Sequence, residues 1–150
     1  MAESHSGFDL PLDRFYDAVR HIWVQPAFDS GRVIIGIDVV GLEYIGDLAY
    51  IQCAPGGAHV RRGEPMGSLE AAKMTDILSA PISGQIIAVN EAVIKNPSLV
   101  NRDPYGTGWL AEIRPECWPE ESTQLVSGPR IGEYRQTETE RLHSANPVRR

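Results

Sequence analysis

Apolar stretches in this sequence are short and are cut by glycine or proline at close intervals, which excludes long helices from the middle of the chain and fits an all-β domain. Candidate strands are RVIIGID (32–38), DLAYIQCA (47–54), PMGSLEAA (65–72), QIIAVN (85–90) and GWLAEIR (108–114). Turn signals separate them: PGG (55–57), RRGEP (61–65), SAPISG (79–84) and RDPYGTG (102–108). In IKNPSLVNRD, Asn96 stands as N-cap before Pro97, the favoured first helical residue, and predicts one short helical turn. VVGLEYIG, ending in Gly46, reads as another. Beyond Pro115 the composition shifts, and GEYRQTETERLHS mixes acid and base in the manner of a short exposed helix before a fraying ANPVRR end. The chain divides into an N-terminal segment (1–15), a body (16–115) and a C-terminal extension (116–150).

A chain of 150 residues suits one domain with a single core. With 42% hydrophobic and 23% charged residues, and no apolar run near the roughly 20 residues of a membrane span, it reads as soluble with no membrane partner. MAESHSGFDL lacks the basic start and apolar stretch of a secretory signal, so a cytoplasmic location is the expectation. The net charge of -6 would repel a phosphate backbone, which argues against nucleic acid. Cys53 and Cys117 are too few for a disulfide framework and lack zinc-site spacing; both read as reduced thiols.

One lysine stands in the run LEAAKMTDILSAP (69–81), between two strand-like stretches that pair as a hairpin with Lys73 at its tip. Met66, Leu69, Ile77 and Ile82 then turn toward a core, each contributing roughly 1.5–3 kcal/mol if fully buried. The tip itself buries nothing, and Ala71 and Ala72 leave the ammonium open to a modifying enzyme that grips the backbone on both sides. An amide formed there would move the net charge from -6 by one more negative unit. An exposed turn lysine is ordinarily just solvated, and the pattern alone leaves the two readings level.

GEPMGSLEAAKMTDILSAPISGQI resembles carrier domains that bear lipoyl or biotinyl groups on a hairpin lysine, with Glu70 three before Lys73 and Gly84 eleven after it as ligase-recognition positions. A biotin carrier usually reads A-M-K-M; Met74 fits, whereas Ala72 takes the place of the first methionine. NEAVIKNPSLVNRDPYGTGWLAEIRP (90–115) resembles the H-protein of the glycine cleavage system, as do HIWV, VIIGID, IGDLAYIQ and GEYRQTETE, so the likeness runs from about residue 16 to residue 140. The resemblance implies a mainly β fold, a flattened β-barrel or barrel-sandwich hybrid with short helices and a C-terminal helix. It further implies lipoate in amide linkage to Lys73 and a carrier rather than an enzyme, the arm visiting several active sites at a concentration set by its tether. Lipoate ligase or lipoyl synthase and dihydrolipoamide dehydrogenase are the implied partners. Asn101, Pro104, Tyr105 and Trp109 match the family pattern and read as structural, Trp109 as core.

The sequence departs from that family at its arm cleft. The amine contacts of the family come from a glutamate in an H-E-W stretch, a histidine in the short helix and an aspartate four after the lysine; here those places hold Ile22, Tyr44 and Ile77. An ammonium without a paired acceptor costs several kcal/mol to desolvate, and two isoleucines offer it nothing, although Asp76 would serve in a register shifted by one. The chain thus looks more like the H-like lipoate-binding proteins that carry a sulfur cargo for a heterodisulfide-reductase-like complex. The glycine cleavage H-protein with its aminomethyl cargo and glycine cleavage enzymes is the alternative, and a biotin carrier a third.

Other constellations point nowhere specific. Cys53 and His59 suggest a thiol and base, but no third group orients them, and a buried strand cysteine is the plainer reading. His21, beside Trp23, reads as a structural or docking histidine, and His5 and His143 fall in tails. PYGTG follows no strand-to-helix phosphate loop, and Arg61 with Arg62 reads as a solvated patch.

Overall fold

The structure is a computed structural model that describes residues 8–27 and 29–145; the expectations for His5 and for a frayed 146–150 lie outside the described residues. In chain order, β1 (Phe15–Asp17), β2 (Ile22–Ala27) and β3 (Arg32–Ile37) are followed by α1 (Val39–Ile45) and β4 (Leu48–Cys53). Then come β5 (His59–Val60), β6 (Pro65–Ala71), β7 (Thr75–Ser79) and β8 (Gly84–Val89). Helices α2 (Glu91–Lys95) and α3 (Ser98–Arg102), strand β9 (Ala111–Pro115) and helices α4 (Trp118–Glu121) and α5 (Arg130–Ala145) complete the order.

The strands form two open sheets, one in the order β1-β2-β3-β9-β8-β5 and one in the order β4-β6-β7, so the flattened sandwich is present without closure into a hydrogen-bonded barrel. A shared apolar core lies between them, drawing Val24 from β2, Ile35 from β3, Ile51 from β4, Leu69 from β6, Ile86 from β8 and Ile113 from β9. On β3 the alternation Val33, Ile35, Ile37 supplies the inward face. Across from Trp23 the partner is Gly36, where a Cβ would fall 2.5 Å from the indole, so the ring lies over bare backbone. The indole Nε1 donates to Pro104 O at 2.9 Å, which makes Trp23 the fully buried tryptophan, whereas Trp109 is half-buried beside the second cluster rather than central to the core.

The β6–β7 hairpin forms as expected, with Met66, Leu69 and Ile82 buried, but Ile77 is 55% exposed and Leu78 takes the inward place. Adjacent strand residues face opposite sides, so only one of the two can enter the core. The register pairs Leu69 with Asp76 and Ser68 with Ile77, which puts Asp76 on the face of Leu69 and turns Ile77 away.

Helix α1 starts at Asp38, whose carboxylate accepts from Gly41 N at 2.9 Å, and ends at Gly46. The predicted turn after Asn96 is α3, but Pro97 rather than Asn96 is its N-cap residue, and Asn96 Oδ1 accepts instead from the Ser98 hydroxyl. The C-terminal helix is not simply exposed: Ile131, Tyr134 and Glu138 are buried beneath it, and His143 lies in its last turn rather than in a tail. No helix among the described residues is long and apolar enough to cross a membrane.

Candidate functional site

The hairpin tip carrying Lys73 is closed by Ala71 N donating to Met74 O at 2.9 Å. Far from standing clear, its backbone is docked on the junction of α1 and β4. Ala72 N donates to Asp47 O and Lys73 N to Ile45 O, both at 2.9 Å. The lysine side chain remains exposed, and its ε-ammonium donates to Glu43 O at 2.8 Å. The last carbonyls of a helix lack intrahelical donors, and Lys73 supplies two of them through its amide and its ammonium.

Gly46 permits this docking. Its φ is 83°, and an added Cβ would lie 3.2 Å from Lys73 Cγ and 3.3 Å from Ala72 Cβ. Asn101 braces the same junction from α3, accepting from Leu48 N at 2.8 Å and donating to Gly46 O at 3.1 Å. Its role is therefore structural, and it acts directly under the lysine.

Beside Lys73 a cleft of about 500 Å³ opens between the hairpin, α1, the start of β2 and the end of α5. Ile22, Tyr44 and Ile77 all border it, together with His21, Asp76 and Arg141. Ile22 is buried in its wall, Ile77 stands at the exposed rim, and Met74 adds an apolar surface next to the lysine. Ligand pockets commonly run to roughly 300–1,000 Å³ with mostly apolar walls and few polar groups. The Arg20 guanidinium at its edge is held by Asp17 Oδ2 at 2.6 Å, and that of Arg141 by Glu138 Oε2 at 3.1 Å.

Behind the cleft lies a polar network that joins segments far apart in sequence. The Tyr134 hydroxyl donates to Asp38 Oδ2 at 2.7 Å and lies 2.7 Å from His21 Nδ1. Burial raises the Asp38 carboxyl above its usual range against the pull of its donors, and burial raises the Tyr134 phenol too, with the Asp38 charge adding to it. Tyr44, whose ring lies 5.4 Å from that of His21 at 26°, donates its hydroxyl to Glu138 Oε1 at 2.9 Å. Burial and this carboxylate raise its phenol as well.

Glu70 is exposed on β6 three residues before the lysine. Gly84 is buried at the start of β8; a Cβ there would collide with Arg114 O and stand 2.8 Å from Ile113 Cγ2, so β8 needs a glycine to approach β9. His59 bonds Glu116 at 2.7 Å and not Cys53, and burial pushes the Cys53 thiol up to about 11, so the pair does not form a nucleophile and base. Among the described residues no group of three or more His, Cys, Asp or Glu is arranged to hold a metal ion. Sequence reasoning missed the link of Tyr134 to Asp38 and His21; the only trace of it is the four-residue spacing of Tyr134 and Glu138, which sets both on one face of α5.

A two-sheet sandwich thus presents an exposed lysine at a docked hairpin tip, with a largely apolar cleft opening from Met74. The model of the glycine cleavage H-protein family matches residues 14–138, and the chain belongs to that family. It is 32% identical over 126 residues to "Glycine cleavage system H protein 2" of Aquifex aeolicus, covering 84% of this chain and 78% of that one. It is 38% identical over 107 residues to the glycine cleavage system H protein of Thermus thermophilus, covering 71% and 81%. The crystal structure of a glycine cleavage system H protein from Mycobacterium marinum superimposes with a TM-score of 0.66 at 37% identity, covering 77% of this chain and 98% of that one. The biotin-carrier reading falls with this membership.

Proposed function

We propose that this chain is a lipoyl carrier, not a catalyst, in which Lys73 bears lipoate in amide linkage. The observation that carries the reading is the Lys73 ammonium, exposed at a hairpin tip whose backbone is fixed by Ile45 and Asp47 and whose next residue, Met74, lines a cleft large enough for an arm. The residues present fit the group: an accessible amine for attachment, and apolar surface from Ile22, Leu69 and Met74 for a hydrocarbon chain. Lipoate there would supply a dithiolane that takes up a group at one enzyme and yields it at another. The chain's own part is to hold the attachment point rigid, shelter the arm and present Glu70 to a lipoate ligase or lipoyl synthase.

The family membership favours the glycine cleavage cargo, with glycine cleavage enzymes and dihydrolipoamide dehydrogenase as partners. Asp76 supports it, since the register sets that carboxylate on the cleft side of the hairpin, where an amine would find it. A second reading, a sulfur cargo for a heterodisulfide-reductase-like complex, draws on a different observation. Ile22 is buried in the cleft wall, and two arginines border the cleft against the single carboxylate of Asp76. An ammonium gains little there.

Incubation with a lipoate ligase, ATP and lipoate, read by intact mass, should add one lipoyl group, and Lys73→Ala should abolish the addition. An unmodified wild-type chain, or a modified Lys73→Ala chain, overturns the carrier reading. The lipoylated protein is then offered to glycine decarboxylase with glycine: efficient loading establishes the glycine cleavage cargo, and failure to load leaves the sulfur reading standing.

A further inference from the structure

The phenol of Tyr134 has one proton, and it is given to Asp38 Oδ2. With Asp38 ionised, both of its oxygens accept, Oδ2 from the phenol and Oδ1 from Gly41 N at the start of α1. The contact of 2.7 Å between Tyr134 and His21 must then run the other way, with Nδ1–H of the imidazole donating to the phenol oxygen. A neutral imidazole that carries its proton on Nδ1 has a bare lone pair on Nε2. That nitrogen makes no hydrogen bond among the described residues.

His21 borders both the cleft and the groove under α5, whereas Tyr134 lines the groove and not the cleft. Nδ1 is turned toward Tyr134 on the groove side, and Nε2 lies on the opposite edge of the ring. The ring is held at a φ of 61° by its backbone, with His21 N donating to Asp17 O at 2.7 Å and His21 O accepting from Asp38 N at 2.9 Å, and it is flanked by the near-parallel ring of Tyr44. Three other polar side chains of the cleft are engaged elsewhere: Tyr44 and Arg141 with Glu138, Arg20 with Asp17; Ser79 also lines it. Asp76 stands at the exposed rim, with one oxygen accepting from Ile77 N.

We infer that His21 offers an unprotonated Nε2 as the hydrogen-bond acceptor for a donor at the end of the Lys73-borne arm, an S–H of the reduced arm or an N–H of its cargo. Asp38 and Tyr134 are positioning residues that fix the tautomer. The inference rests on the carrier reading and deepens it, since it names what the cleft recognises: a hydrogen-bond donor on the arm or its cargo. It also gives this chain's own apolar wall at Ile22 and Ile77 a polar counterpart.

The test is nitrogen NMR of the full-length protein labelled with ¹⁵N-histidine, the His21 signals being assigned by their loss in His21→Asn, a residue that tolerates positive φ. In the unmodified protein, the Nδ1–H tautomer is expected. Asp38→Asn should invert it: Gly41 N holds the amide oxygen, the amide N–H donates to Tyr134, the phenol turns its proton to Nδ1, and the imidazole proton moves to Nε2. Tyr134→Phe should leave a mixture of tautomers. Reducing the arm of the lipoylated protein should shift the His21 Nε2 signal, while the same reductant leaves the unmodified protein unchanged. An Nε2–H tautomer in wild type, or no shift on reduction of a chain that intact mass shows to be lipoylated, overturns the inference and leaves the carrier reading intact. Absence of lipoylation in the first place refutes the carrier reading instead.

Discussion

The ε-ammonium of Lys73 donates to the carbonyl oxygen of Glu43 at 2.8 Å, so the candidate attachment nitrogen doubles as a cation at the C-terminus of α1. Such a contact stabilises a helix end by about 0.3–1 kcal/mol when exposed. Acylation of the nitrogen would remove its charge and leave one amide N–H, so modification and capping compete for the same atom.

Lys73→Met keeps the length of the side chain and removes the donor. The expected loss of stability is about 0.3–1 kcal/mol, measured by urea denaturation, with faster hydrogen exchange confined to the last turn of α1. A variant as stable as wild type would show that the Glu43 contact contributes nothing.

Gly46→Ala acts on the same junction through the backbone. A φ of 83° with ψ of -161° lies in a region that only glycine occupies readily, and the new methyl would meet Lys73 Cγ at 3.2 Å. Strain of this kind costs on the order of 1–3 kcal/mol. The urea midpoint should fall accordingly, and modification of Lys73 by a lipoate ligase should slow because the tip can no longer seat on Ile45 and Asp47.

How much of this was legible in the sequence depended on range. Strands β3, β4, β6, β8 and β9 were readable because glycine and proline mark their ends and apolar residues fill them. β1 and β5 were not, at three and two residues; neither is long enough to show an alternation. β2 was obscured by Pro26, which is tolerated there because β1 pairs only with Ile22, Trp23 and Val24 and leaves that end of β2 unpaired on one side. The hairpin lysine was visible as a local pattern. Ile77 was misassigned because two apolar neighbours, Ile77 and Leu78, compete for one inward position and only the hairpin register decides between them. The contact of Tyr134 with Asp38 spans 96 residues, and nothing local in either segment announces it.

The two thiols should separate cleanly. Burial raises the Cys53 thiol to about 11, whereas Cys117 is exposed. The folded chain therefore holds the Cys53 proton more tightly than the unfolded chain, whose thiol titrates near 9, and this contribution to stability is intact below about pH 9 and lost as pH rises toward 11. At pH 8 a disulfide reagent such as DTNB should titrate one thiol rapidly in the native protein and two in denaturant. Rapid reaction of both in the native state would contradict the burial of Cys53.

Two isoleucines of the cleft, Ile22 and Ile77, differ sharply in what they tolerate. Ile77 is 55% exposed and opposite Ser68, so Ile77→Asp should change stability by no more than about 0.5 kcal/mol. Ile22 is 2% exposed within the main core, so Ile22→Glu forces a carboxylate out of water, at a cost of several kcal/mol. Urea denaturation of the pair should show that contrast. It makes Ile77→Asp the usable probe of cargo: if an added carboxylate at the cleft rim raises loading by glycine decarboxylase, the natural isoleucine is a barrier to an amine. Unchanged loading would mean that Asp76 and His21 already supply the acceptors an amine needs.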